Sequence, residues 1–429
     1  MRKGQQKLSE FRKRLSQYLE SLGYECFRRD KMKASDKWFC HAETPEVDAE
    51  FLVRDLRVIN QSEVFCYGEG LAVDIASLPL QSKPDGYCPV EIGKTIAEFR
   101  TGLTTGVEFG YPNPYRETND KGEVDWVYDY MKLVDRQNIG HNRFCAVERW
   151  RGRVDADFLW DYVICVNCLP LVTVAIEPDE KGDADCQRAY DAMRRELDED
   201  YVLRAYVQFC VISNGVTTLV GSPVDSLENF KTWPSLMGEE PPVGFSVPAE
   251  TAFVSLLRPD RLLDVLQNNI YIKYEENGRF DHFFGDYHQY FAILKIEEAM
   301  RAHFAKSDEP FCGYVDLLKS ESGISNKLSN QAITCIWLSS LRLEYALMEV
   351  DDKNRQWVGF SSEITDEDID DLHKTNDPKF FLFGPEFTFA DYQRVVKEFP
   401  DASVVYFRQV PMDDEPFGEC IYKASFSIC

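Results

Sequence analysis

The stretch DYVICVNCLPLVTVAIEP, Asp161 to Pro178, constrains the fold more than any other part of the chain. Two short apolar runs rich in Val, Ile and Leu are separated by Asn167 and Cys168. Runs of this length on either side of a tight turn predict two buried β-strands paired as a hairpin. A hairpin with so little polar surface needs further strands beside it and helices over its faces. An acidic residue stands at each end, which raises the question of a metal-dependent active site.

The surrounding pattern supplies those elements. Segment KLSEFRKRLSQYLESLGY places Leu8, Phe11, Leu15, Leu19 and Leu22 at helical spacing, and Gly23 ends it. Residues up to about 85 then alternate strand-like runs, EFLVRDLRVI and SEVFCYG, with polar turns, so 1–85 reads as a small α/β domain. Between 86 and 240, TTGVEFGY, DWVYDYMKLVD, NRFCAVERW, the hairpin and AYVQFCVIS read as strands, with VTTLVG after the last. The run DADCQRAYDAMRREL between two of them reads as a helix, which predicts a mixed sheet with helical cover. Residues 235–250 hold a Pro/Gly linker. From 251 to 429, PDRLLDVLQNNI, HQYFAILKIEEAMRAHF and NQAITCIWLSSLRLEYALM read as helices, QWVGFSS as a strand and EITDEDIDDLH as a solvated helix start.

Charge and cysteine content narrow the function. The formal net charge of −25 argues against nucleic acid as a partner of the whole surface. A local basic patch remains, in Arg12, Lys13 and Arg14 with Arg28, Arg29, Lys31 and Lys33, which reads as a solvated helix face or a contact to DNA. Thirteen scattered cysteines predict reduced core thiols, and the CxxC of Cys165 and Cys168 lacks the second pair that zinc would want. No apolar run reaches membrane-spanning length, and the charged N-terminus is unlike a secretory signal. Cytoplasmic residence is the expectation.

Over roughly 95–375 the chain resembles the restriction (R) subunit of type I restriction–modification enzymes. The likeness lies in TTGVEFGY with DWVYDYMKLVD, NIGHNRFCAVERWRG, the hairpin, CVISNGVTTLVGS, SLENFKTWP, LLRPDRLLDVLQNNIYI and DYHQYFAILKIEEAM, in that order. It implies a PD-(D/E)xK nuclease-like mixed sheet, followed by a truncated RecA-like, helicase-type α/β lobe. In such a nuclease two carboxylates hold Mg²⁺, and a lysine on the same strand face assists the chemistry.

Mapped onto this sequence, the first carboxylate is Asp161, while Ala175 stands where the second belongs and Glu177 where the lysine belongs. An anion facing a phosphate at about 4 Å opposes binding by on the order of 4 kcal/mol at an effective dielectric near 20. The family's QxxxY motif falls on Ala192 and Glu196 and is also missing. A register shift would offer Asp179 and Lys181 instead, although Pro178 and Gly182 around them mark a turn. In the motor region FCGYVDLLKSESGISNKLS has no GxxxxGK[ST], with Lys319 and Lys327 at the wrong spacing. Gln289, which the resemblance would place against adenine, reads as a helix-packing residue without phosphate contacts beside it.

These readings predict a non-catalytic relative of the R subunit, without cofactor, that binds a protein partner in a restriction or phage-defence complex. The alternatives are a Mg²⁺-dependent DNA endonuclease using Asp161, Asp179 and Lys181, and an acidic DNA mimic.

Overall fold

The computed structural model describes residues 3–28, 47–60, 72–73, 75–77, 99–100, 103, 111–118, 122, 124–150, 160–177, 186–214, 217–234, 249–274, 280–285, 287–316, 342–350, 355–361, 364–384, 387–408 and 418–423. Asp179, Lys181, Lys319, Lys327, Arg29, Lys31, Lys33 and the run SEVFCYG lie outside the described residues, as does most of TTGVEFGY and of the 235–250 linker. Contacts group the chain into two units, 1–236 with 241–284, and 285–429 with 237–240.

In the first unit, helix α1 (Lys3–Ser21) buries Leu15 and Leu19 one turn apart, and Gly23 ends it at φ +92°, a conformation glycine adopts without penalty. Strand β1 (Glu25–Arg28) follows. The next element corrects the sequence reading. EFLVRDLRVI, expected as a strand, is helix α2 (Ala49–Ile59). Asp48 caps it, its carboxylate accepting the backbone N–H groups of Glu50 and Phe51, and Leu52, Leu56 and Ile59 are buried at i, i+4, i+7. A cap and a helical stripe together outweigh the strand propensity of the valines and isoleucine.

Strands β2 (Tyr111–Thr118) and β3 (Val124–Met131) form an antiparallel ribbon. The main sheet uses β4 (Phe144–Trp150), β5 (Trp160–Val166), β6 (Leu169–Ile176), β7 (Phe209–Ser213), β8 (Thr218–Gly221) and β9 (Lys231–Thr232). With β1 it has seven strands in the order β1-β4-β5-β6-β7-β8-β9. The pairs β1–β4 and β6–β7 are parallel and the others antiparallel, so the sheet is mixed, as the sequence pattern requires. Every residue of β5 and β6 is buried. Helices α3 (Gln187–Glu199) and α4 (Tyr201–Tyr206) lie between β6 and β7 in sequence and pack on β6. The strand expected over AYVQFCVIS therefore begins only at Phe209, because AY closes α4. Helices α5 (Ala249–Leu256) and α6 (Pro259–Asn268) and the hairpin β10 (Ile270–Tyr274) with β11 (Phe280–Phe284) complete the unit.

The β5–β6 turn is held by amides. Asn167 and Cys168 both have positive φ, 49° and 70°, the geometry of a two-residue hairpin turn. Asn167 is fully buried; its Nδ2 donates to Leu133 O at 2.8 Å and to Asn142 Oδ1 at 3.0 Å, and its Oδ1 accepts from Arg143 N at 2.9 Å. Cys168, also buried, donates its thiol to Asp55 Oδ2 at 2.9 Å, so this half of the CxxC ties the turn to α2.

The second unit contains helix α7 (Tyr287–Phe304) and strands β12 (Cys312–Asp316) and β13 (Gln356–Ser361). Helix α8 (Asp366–Leu372), β14 (Lys379–Phe383), α9 (Phe389–Glu398), β15 (Ser403–Arg408) and β16 (Glu419–Lys423) follow. Its sheet is parallel throughout, in the order β13-β14-β15-β12-β16. Capping boxes start α8 at Thr365 with Asp368 and α9 at Thr388 with Asp391. Phe381, Phe383, Phe387, Val395, Val404 and Tyr406 form a core on one face of this sheet.

Candidate functional site

Asp161 opens β5 and is buried, with 7% of its surface exposed. Its Oδ2 accepts the backbone N–H of Ile176 at 2.6 Å, and its Oδ1 is ion-paired with the guanidinium of Arg12 on α1. Both oxygens are thus engaged by the chain itself. Burial, the largest influence, pushes the carboxyl pKa up to about 6, against the attraction of Arg12 and the Ile176 hydrogen bond. The charge of Glu177 adds to the rise.

α1 is fastened over this end of the sheet by further polar contacts. Tyr162 Oη donates to the carbonyl of Arg12 at 2.7 Å, freezing the turn that carries the guanidinium. Ser16, one turn further along α1, donates its hydroxyl to Glu148 Oε1 on β4 at 2.6 Å and lies 2.8 Å from Tyr162 Oη. Arg28 reaches the other oxygen of Glu148 at 3.8 Å. Arg149, at φ +57°, holds the left-handed conformation that non-glycine residues seldom adopt. The cleft bordered by these groups has a volume of about 440 Å³, and Lys13 and Glu20 of α1 also line it.

The hairpin register places the remaining sequence-derived positions. Tyr162 pairs with Val174, so Asp161 and Ala175 occupy neighbouring positions on β5 and β6. Ala175 is fully buried and pairs with Ile212 on its other side. Glu177, partly buried just past β6, donates its backbone N–H to Ser213 O at 2.9 Å. On α3, Ala192 is partly exposed and Glu196 buried, and neither is among the described residues lining the cleft. Gln289 lies in the second unit, buried on α7.

A divalent cation at Asp161 would need carboxylate or carbonyl oxygens converging on one point. Here one oxygen faces a guanidinium, the other an N–H donor, and the neighbouring strand offers a methyl group. Among the described residues no three His, Cys, Asp or Glu side chains are grouped to hold a metal ion. The described residues around Asp161 do not fit Mg²⁺. Sequence reasoning placed Arg12 in a basic patch but missed its pairing with Asp161: a basic helix face and a strand carboxylate carry no mutual signal until the fold joins them. Among the described residues no helix is long and apolar enough to cross a membrane.

Residues 7–229 match the family described as the type I restriction enzyme R protein N terminus. The HindI type I restriction enzyme endonuclease subunit of Haemophilus influenzae is 26% identical over 185 residues, covering 42% of this chain and 18% of that protein. A Methanocaldococcus jannaschii protein assigned as the MjaVIIIP type I restriction enzyme endonuclease subunit is 24% identical over 198 residues, covering 44% of this chain and 18% of its own length. The chain thus matches less than a fifth of the length of these relatives.

Proposed function

Because the chain belongs to the family of type I restriction enzyme R protein N termini, we propose that it serves a restriction system as a non-cleaving member. It keeps the hairpin and the first carboxylate as a scaffold and works by binding a protein partner, either within a restriction complex or in competition with an active R subunit for its docking surface. One observation carries this reading: the guanidinium of Arg12 sits on Asp161 where a nuclease would need a metal. Ala175 and Glu177, in place of a ligand and an ammonium, support it from the adjacent strand. The all-parallel sheet of the second unit supports reading that unit as a RecA-like lobe, and the chain has no GxxxxGK[ST] to grip a triphosphate. The DNA-cleaving activity of whole R subunits is therefore not assigned to it.

The test is incubation of the purified chain with supercoiled plasmid and Mg²⁺ or Mn²⁺, beside an Asp161→Ala control. Intact plasmid in both samples is expected. Cleavage that disappears in the control would overturn the proposal and return Asp179 and Lys181 to consideration. Native co-purification addresses the partner, with enrichment of restriction subunits as the expected result.

A further inference from the structure

The second unit carries a charge pair of its own at the position where open α/β sheets take ligands. β12 comes first of the five strands in the chain, yet it lies between β15 and β16. In the strand order the next strand after β12, β13, lies at the edge beyond β15 and β14, whereas the next strand after β15, β16, lies on the far side of β12. The placement of successive strands thus reverses between β12 and β15, and sheets of this kind bind ligands at such a reversal, beyond the C-terminal ends of the strands. In nucleotide-binding lobes a glycine-rich loop there cradles phosphate with backbone N–H groups.

In this chain β12 ends at Asp316 and β15 at Arg408, which are direct register partners. Arg408 Nη2 donates to Asp316 Oδ2 at 2.6 Å, and Asp316 is only 2% exposed. The guanidinium also lies over the ring of Tyr314, 5.2 Å from its centroid, so it is folded back along β12. A phosphate entering here would meet a desolvated carboxylate, with Arg408 already paired to it. Asp316 Oδ1 and Arg408 Nε are buried without a hydrogen-bond partner, so the pair is not optimised for stability.

We infer that the Asp316–Arg408 ion pair occupies the phosphate position of the second unit and makes this unit a nucleotide-independent support. The inference rests on reading the unit as a RecA-like lobe. It assigns Asp316 and Arg408 a blocking role that neither residue type nor spacing announces.

The experiment is thermal unfolding of the full chain, alone and with millimolar ATP or ADP plus Mg²⁺, for the wild type, Arg408→Met, and the double variant Asp316→Leu with Arg408→Met. The wild-type midpoint should be unmoved by either nucleotide. Arg408→Met, which strands a buried carboxylate, should lower the midpoint of the second unit by roughly 10 °C, and the apolar double variant should recover most of that loss. A saturable, nucleotide-dependent rise in the wild-type midpoint would overturn the inference, as would equal losses in the single and double variants. Failure of the lobe reading looks different: amide exchange in which β12 and β15 are not among the best-protected strands of the unit. Plasmid cleavage at Asp161 would bear only on the non-cleaving proposal.

Discussion

Replacing Asp161 by asparagine isolates the contribution of one buried charge. The carboxyl titrates at about 6 in the folded chain against an ordinary 3.8. Its folded-state pKa is raised, so the native state holds the proton more tightly than the unfolded chain does. The stability it contributes is full below about 3.8 and is lost as pH rises through about 6. The difference of roughly two units corresponds to about 3 kcal/mol of lost stability at pH 7. Asparagine keeps the shape, can accept the Ile176 N–H and never ionises. Against wild type, Asp161→Asn should gain about 2 kcal/mol in relative stability between pH 4.5 and pH 7, read as the change in urea-unfolding free energy at the two pH values. A wild-type-minus-variant difference that stays flat across this window would refute the assignment of a desolvated, only partly compensated carboxylate. The same substitution should leave partner capture unchanged if the residue is a remnant and not a working ligand.

Other perturbations follow from the same contacts. Arg12→Ala should destabilise the chain by about 1–2 kcal/mol at pH 7, discounted for the partial exposure of the guanidinium, and the loss should shrink when Asp161→Asn is already present; a double-mutant cycle by urea unfolding checks it. Asn167→Ala removes a buried amide that bonds three backbone or side-chain groups, and should cost about 2–4 kcal/mol by thermal or urea unfolding. A Cβ at Gly221 would sit 2.7 Å from the ring of Phe230, so Gly221→Ala should cost about 1–3 kcal/mol, with slower refolding not required. Thr365→Ala deletes the cap of α8 and should lower stability by about 1 kcal/mol, with faster amide exchange confined to the first turn.

A good part of the fold was legible in the chain. The hairpin was readable because two β-branched runs on either side of Asn167 and Cys168 leave little else to form. The helix over Gln187–Glu199 was readable in DADCQRAYDAMRREL and the start of α8 in the acidic tract EITDEDIDDLH, whereas the Thr365–Asp368 capping box came from the structure. EFLVRDLRVI misled because its composition favours strands, and the decisive contributions of Asp48 and of the buried stripe depend on what the helix packs against.

By itself the sequence determined which residue types stand at the positions the resemblance maps, Asp161, Ala175 and Glu177, and that the chain contains no GxxxxGK[ST]. Those are local facts of covalent order, and no packing can alter them. The tertiary structure alone decided what the surviving groups touch. Arg12 meets Asp161, and Arg408 meets Asp316, because secondary elements distant in the chain are brought side by side by burial of apolar surface, a force that is not directional and leaves no mark at either partner. Charge pairing across such a junction is a consequence of the fold, so it becomes readable only once the fold is known.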